Sequence, residues 1–256
     1  MSHVPMHSRR INPPARTSAA QRCRHLALAA AFITLSSPSS AAGIWGGSTG
    51  AASDYVSRGI TLSAGEPSVQ ADGHYVSNSG WFAGASAARV RQAPGGGAAE
   101  LSAYVGSTRA ITANWSGRMT AAHYAYPGIA PRGVYDYDEL SASLVGHNRW
   151  FLSVAVSPDR GADTTRVTVS KRTALAYDLT LRQPLAQGLS ASLGVGYNDL
   201  HRLVGVGYLY WNAGLTYERG PMHVALTFIG TDATAKSLFY DNAAANRLVA
   251  TVLWSF

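Results

Sequence analysis

The sequence predicts an all-β chain, a transmembrane antiparallel up-and-down β-barrel of about twelve strands. Three observations predict it. Apolar residues recur at every second position in segments about ten residues long, the period of a strand with two unlike faces. The links between these segments alternate between short and long along the chain. Nothing after residue 42 approaches 18 consecutive apolar residues, so no helix is expected to span a bilayer. A membrane chain without apolar helices must close its sheet, because an open edge cannot face lipid.

The first element is a leader. Arg9, Arg10, Arg16, Arg22 and Arg24 precede the apolar run Leu26 to Leu35, with no acid before it. The small residues from Ser36 to Ala42 follow. A basic stretch, an apolar stretch and a small-residue site, in that order, make a secretory signal peptide. Cleavage is expected after Ala42, which divides the chain into a signal peptide over 1–42 and an outer-membrane barrel over 43–256. The chain has 21 basic and 14 acidic residues; removing the five leader arginines leaves 16 against 14, a net of +2. That balance gives no reason to expect nucleic acid as a partner. Cys23 is the only cysteine and precedes the apolar run, which excludes a disulfide framework or thiolate metal site in residues 43–256.

Strands are expected at 50–60, 67–77, 80–90, 99–108, 114–125, 134–146, 149–158, 173–183, 188–198, 207–218, 221–230 and 246–256. The alternation is clearest in Leu189, Ala191, Leu193, Val195 and Tyr197, set against Ser190, Ser192, Gly194, Gly196 and Asn198. It recurs in Trp211, Ala213, Leu215 and Tyr217 against Asn212, Gly214, Thr216 and Glu218. The links at 77–80, 108–113, 146–149, 184–188 and 218–221 are short, while those at 91–98, 126–133, 159–172, 199–206 and 231–245 are long. Short turns therefore gather at one end and long connections at the other, as in barrels with periplasmic turns and extracellular loops. The last strand carries Leu248, Ala250, Val252, Trp254 and Phe256 on one face and ends on the aromatic Phe256. Trp254 and Phe256 are the expected assembly signal for the barrel-assembly machinery. Aromatic residues near strand ends, from Tyr55 and Tyr75 through Tyr124, Tyr126, Tyr135, Tyr137, Tyr208 and Tyr210, are expected to form girdles at both membrane interfaces.

The segment Ser53-Asp54-Tyr55-Val56-Ser57-Arg58-Gly59-Ile60-Thr61 is unusual, and Gly65-Glu66-Pro67-Ser68-Val69-Gln70 and Gly80-Trp81-Phe82-Ala83-Gly84 follow it. This run resembles the opening of the TorF-type porin family of proteobacterial outer-membrane proteins. Glu100 to Gly106, Tyr124 to Gly128 and Tyr137 to Leu140 extend the resemblance over most of residues 43–256. Ser57 departs from the family's usual aromatic residue, and 231–245 matches weakly. The resemblance implies an outer-membrane channel and supplies no substrate.

If the apolar face of each strand meets lipid, the other face lines the lumen. The residues expected there are Asp54, Arg58, Gln70, Asp72, His74, Glu100, Arg118, Glu139, Asp178, Arg182, Glu218 and Arg247. Six acids and four bases among them predict no strong preference for anions or cations. Asp54 and Arg58, four apart, are expected on one face of the first strand. Gly59 suits a turn or a close approach in the first loop. Many inward positions are small, including Gly84, Ser86, Ser102, Gly194 and Gly196, which predicts open space in the bore. None of His74, His123, His147, His201 or His223 is followed two residues later by the Ser that a barrel phospholipase would need. The expectation is a channel for passive diffusion of small hydrophilic solutes or ions, with no cofactor and no metal. Outer-membrane lipid and lipopolysaccharide are its expected surroundings. A non-conducting structural or receptor barrel is the alternative, and an outer-membrane hydrolase a more distant one.

Overall fold

A computed structural model describes residues 43–93, 96–129, 133, 135–165 and 168–256. The leader expected over 1–42 lies outside them. In chain order the elements are β1 (Ile44–Ala52), β2 (Val56–Ser57), β3 (Ile60–Thr61), β4 (Ser68–Val76), β5 (Trp81–Ala93), β6 (Gly96–Thr112), β7 (Trp115–Ala125), β8 (Tyr137–Gly146), β9 (Trp150–Thr165), β10 (Thr168–Ala186), β11 (Leu189–Leu200), α1 (His201–Val204), β12 (Val206–Arg219), β13 (Met222–Thr231), α2 (Ala233–Leu238) and β14 (Arg247–Ser255). Twelve strands close into one antiparallel barrel, each beside its sequence neighbour, while β2 and β3 pair only with each other. The closure is between β1 and β14, with Ser48 opposite Ser255 and Ala52 opposite Thr251. Closure leaves no sheet edge unpaired.

The exterior follows from the alternation. Leu248, Val252, Trp254 and Phe256 of the last strand all project outward, as do Leu193 and Val195 of β11 and Leu209, Trp211 and Leu215 of β12. In water such a surface would be costly, and in hydrocarbon it is the solvated face. The turns at one end are tight: 113–114, 187–188 and 220–221 each separate two long strands. His147 and Asn148 both take positive φ, at 51° and 54°, as a two-residue primed hairpin turn requires.

Several expectations need correction. The first barrel strand is Ile44–Ala52 rather than 50–60. Gly46, Gly47 and Gly50 erase its apolar signature, yet its backbone pairs with β4 over nine positions. Asp54 and Arg58 therefore share no strand face; they belong to the connection 53–67, which folds inward. Two long links expected as loops are largely paired strand, because β5 with β6 extends to Ala93 opposite Gly96 and β9 with β10 to Thr165 opposite Thr168. The girdles are redistributed as well. Trp45, Trp81, Trp150, Tyr217, Trp254 and Phe256 point outward at the short-turn end. At the other end Tyr55, Tyr124, Tyr126, Tyr135, Tyr137, Tyr208 and Tyr210 turn inward and join a buried cluster.

Candidate functional site

That buried cluster sits inside the barrel at the end with the long connections, and the segment 53–67 builds its centre. After β1 the chain turns into the bore, and β2 and β3 form a minimal hairpin with Arg58 and Gly59 at its tip. Both tip residues take positive φ, 47° and 80°. Gly59 is required there twice over. Its backbone is left-handed, and a Cβ would lie 2.5 Å from Thr231 Cγ2 and 2.9 Å from Tyr210 Cβ. Ile60 and Leu62 pack with Leu200, Leu203, Leu238 and Phe239 from the neighbouring connections.

The hairpin spans the bore. On one side Tyr55 Oη donates to Glu100 Oε1 of β6 at 2.8 Å, and Arg58 Nη2 donates to Glu139 Oε2 of β8 at 3.2 Å. On the other, Tyr208 Oη of β12 donates to the Arg58 carbonyl at 3.1 Å, and Arg247 of β14 pairs with Asp54. In the ring order β12-β11-β10-β9-β8-β7-β6, β12 and β6 are six steps apart among twelve strands, so the hairpin touches opposite walls. The charges are held rather than free. Glu100 also accepts from Tyr126 Oη at 2.7 Å, and Glu139 from Ser157 Oγ at 3.2 Å. Burial, then the Glu100 carboxylate, pushes the Tyr55 phenol up, so it remains a donor throughout physiological pH. The Arg160 guanidinium lies 3.6 Å from the centre of the Tyr137 ring, which stacks on Tyr124 at 4.7 Å.

Toward the short-turn end the interior changes character. Ser86 and Ser102 share a hydrogen bond of 2.7 Å. Asp72 bonds His74 Nδ1 at 2.7 Å and accepts from Tyr104 Oη at 2.6 Å. Arg182 donates to Glu218 at 2.6 Å and to Ser190 Oγ at 3.0 Å, and His223 Nδ1 lies 3.5 Å from Glu218. Arg118 stacks over Phe82 at 4.0 Å. Asp72, His74, Tyr104, Arg118, Arg182, Glu218 and His223 are partly exposed, whereas Asp54, Glu100 and Glu139 around the hairpin are buried. The interior thus has a more buried zone around the hairpin and a partly exposed, ion-paired zone toward the short turns.

Each residue expected in the lumen can now be placed. Asp54, Arg58, Glu100, Glu139 and Arg247 gather around the hairpin. Asp178 lies just below, accepting from Tyr210 and, at 3.4 Å, from Ser153 Oγ. Asp72, His74, Arg118, Arg182 and Glu218 lie in the partly exposed zone, and Gln70, opposite Gly50 and Ala88, lies level with Glu100, which also faces Ala88. Trp254 and Phe256 lie on the exterior. The small inward residues do not all leave space. A Cβ on Gly194 would lie 2.6 Å from Asn212 Nδ2, and Tyr210 and Tyr104 occupy the room beside Gly196 and Gly84. His123 and Asp138 pair at 2.8 Å but outside the barrel, so the acidic run at 136–139 gathers no catalytic group. Among the described residues no cluster of three or more His, Cys, Asp or Glu could hold a metal ion. The sequence reading did not place Tyr55, Tyr126, Tyr208, Tyr210, Asn198 or Arg160 in this site.

An aliphatic exterior, a closed antiparallel sheet and a polar, charge-paired interior define a transmembrane β-barrel. The chain belongs to the bacterial family of proteins of unknown function named Gcw_chp, whose model matches residues 37–256. No curated protein matches its sequence. Among solved structures it is similar to the NanC porin, with a TM-score of 0.56, 8% identity, and coverage of 83% of this chain and 99% of that one. It is similar also to the KdgM porin, with a TM-score of 0.50, 6% identity and the same coverage. At such identity the likeness establishes a shared fold.

Proposed function

We propose that this chain is an outer-membrane porin-like channel for passive diffusion of small hydrophilic solutes or ions, with the hairpin at 56–61 setting its constriction. The carrying observation is a closed twelve-strand barrel whose interior carries partly exposed hydroxyl and ion-paired side chains and is crossed by one hairpin touching opposite walls. Twelve strands enclose more room than the side-chain-filled eight-stranded barrel and less than a general porin. A fold shared with two porins and the resemblance of 53–61 to TorF-type porins support the same reading. Export through cleavage after Ala42, a lipopolysaccharide-rich outer leaflet and recognition of Trp254 and Phe256 by the assembly machinery belong to it. The alternation of acids and bases within the partly exposed zone implies weak ion selectivity.

A second reading has one observation in its favour: the more buried zone around the hairpin suits a non-conducting barrel that serves a structural or receptor role. Planar-bilayer recording separates the two. Protein extracted from outer membranes of cells expressing the full chain is compared with a variant lacking residues 56–61. Discrete current steps that grow with salt, in either protein, are expected of a channel. A folded, heat-modifiable barrel that passes no current in either form sinks the channel and leaves the second reading.

A further inference from the structure

We propose that the segment 53–67 is a displaceable plug: its tip, latched by Arg58 to Glu139, holds the outer mouth shut, and the pore opens when that latch releases. The proposal rests on the channel reading above and adds a closed state to it. The first support is how the segment is attached. β2 and β3 pair only with each other and add no strand to the barrel. The tip reaches the walls through side chains, with Arg58 on Glu139 at 3.2 Å and Tyr208 on the Arg58 carbonyl at 3.1 Å. Backbone bonds to neighbouring segments lie outside the tip, from Ser53 N to Ala250 O at 2.8 Å at the segment's start and, on the returning limb, from Thr61 N to Ala243 O at 2.9 Å and from Arg91 N to Leu62 O at 2.7 Å. A hairpin held by these bonds and by the packing of Ile60 and Leu62 can leave the bore as a unit, its ends at β1 and β4 staying fixed.

The second support is that the inserted position carries its own costs. Arg58 is a non-glycine residue at a φ of 47°, a conformation that side chains disfavour. Ser57 Oγ and Asn198 Oδ1 are buried beside the tip with no hydrogen-bond partner among the described residues. Buried polar atoms left unpaired are rare and costly, and water reaching them on opening would relieve that cost. Strain and orphaned atoms on one side of the balance and the Arg58–Glu139 pair on the other make a two-position element with a modest gap. Removing one partner of a buried ion pair strands the other charge, so the latch carries much of that gap.

The test is single-channel recording of wild type, Glu139→Gln, Arg58→Ala and the double variant Thr61→Cys/Ala243→Cys. Residues 43–256 contain no cysteine, so the engineered pair is the sole thiol pair in that region. Both single substitutions are expected to raise open probability about tenfold or more without changing the heat-modifiable mobility that marks a folded barrel. The cysteine pair is expected to open less when oxidised and to recover its activity on reduction. Wild type open as often as both latch variants, with no effect of oxidation, overturns the plug while leaving the channel intact. Current absent from every variant and from the protein lacking 56–61 overturns the channel itself. If Glu139→Gln fails to assemble, Arg58→Ala and the reversible crosslink still decide the question.

Discussion

At the scale of single residues, the zone around the hairpin depends on a few buried polar atoms with fixed partners. Glu100 accepts one phenol on each carboxylate oxygen, from Tyr55 at 2.8 Å and Tyr126 at 2.7 Å. Tyr55→Phe removes one of these and leaves a buried oxygen without its donor, at an expected cost of about 1–3 kcal/mol. Urea unfolding in detergent micelles measures it, and a midpoint equal to wild type would mean that water replaces the phenol. Gly59→Val combines left-handed strain with overlap at Thr231 and Tyr210, and is expected to cost about 2–4 kcal/mol in the same assay. Parity made part of this site readable. Tyr208 and Tyr210 fall in the same set as Asn212 and Glu218, and Tyr137 in the same set as Glu139, so alternation alone puts them inside. They were assigned to girdles because aromatic residues at strand ends usually serve there. Arg160 was not readable. On β9 two residues separate Ser157 from Arg160, opposite one between their partners on β10, and that bulge turns Arg160 inward against the parity of its strand.

At the scale of elements, β14 shows what a strand's pattern specifies. Its apolar set was legible because it meets lipid without interruption, and it is exposed as that pattern requires. Val252→Arg places a charge on that face and is expected to destabilise the barrel by about 2–4 kcal/mol, whereas Thr251→Arg, on the inner face, is expected to cost less than half of that. Equal effects in detergent refolding would refute the assigned faces. Deleting Phe256 is expected to lower the amount of assembled barrel in outer-membrane fractions without abolishing the fold of the molecules that do assemble. Unchanged amounts and unchanged heat-modifiability would remove the terminal aromatic from assembly. β1 was misread for the opposite reason. Its four polar or glycine positions from Gly46 to Thr49 carry no alternation, and only backbone pairing with β4 and β14 defines it. Once β1 is shifted, 53–67 is free to be a connection. The sequence had no local signal that this connection folds inward, since its partners lie on β6, β8, β12 and β14, up to 197 residues away.

At the scale of the molecule, two gradients run along the barrel axis and share a direction. The tight turns and the outward Trp45, Trp81, Trp150 and Trp254 lie at one end, while the inward tyrosines, both short helices and the plug-forming segment collect at the other, where Tyr177 and Trp211 face outward. The link lengths alone foretold which end was which, because a two-residue turn cannot hold the helices and buried apolar surface that a mouth needs. How full that mouth is was not foretold, because glycine reads as space in a sequence, while here Tyr104 and Tyr210 fill the room beside Gly84 and Gly196. On the channel reading, the shared direction is expected to put the filled mouth outside the cell and the partly exposed zone toward the periplasm. An epitope inserted after Asn242, in the exposed turn of the connection from β13 to β14, is expected to bind antibody on intact cells. The same epitope after Asn148, between β8 and β9, is expected to bind only after the outer membrane is permeabilised. Label on intact cells from Asn148 alone would invert the barrel and place the hairpin at the periplasmic side, where a plug would control exit rather than uptake.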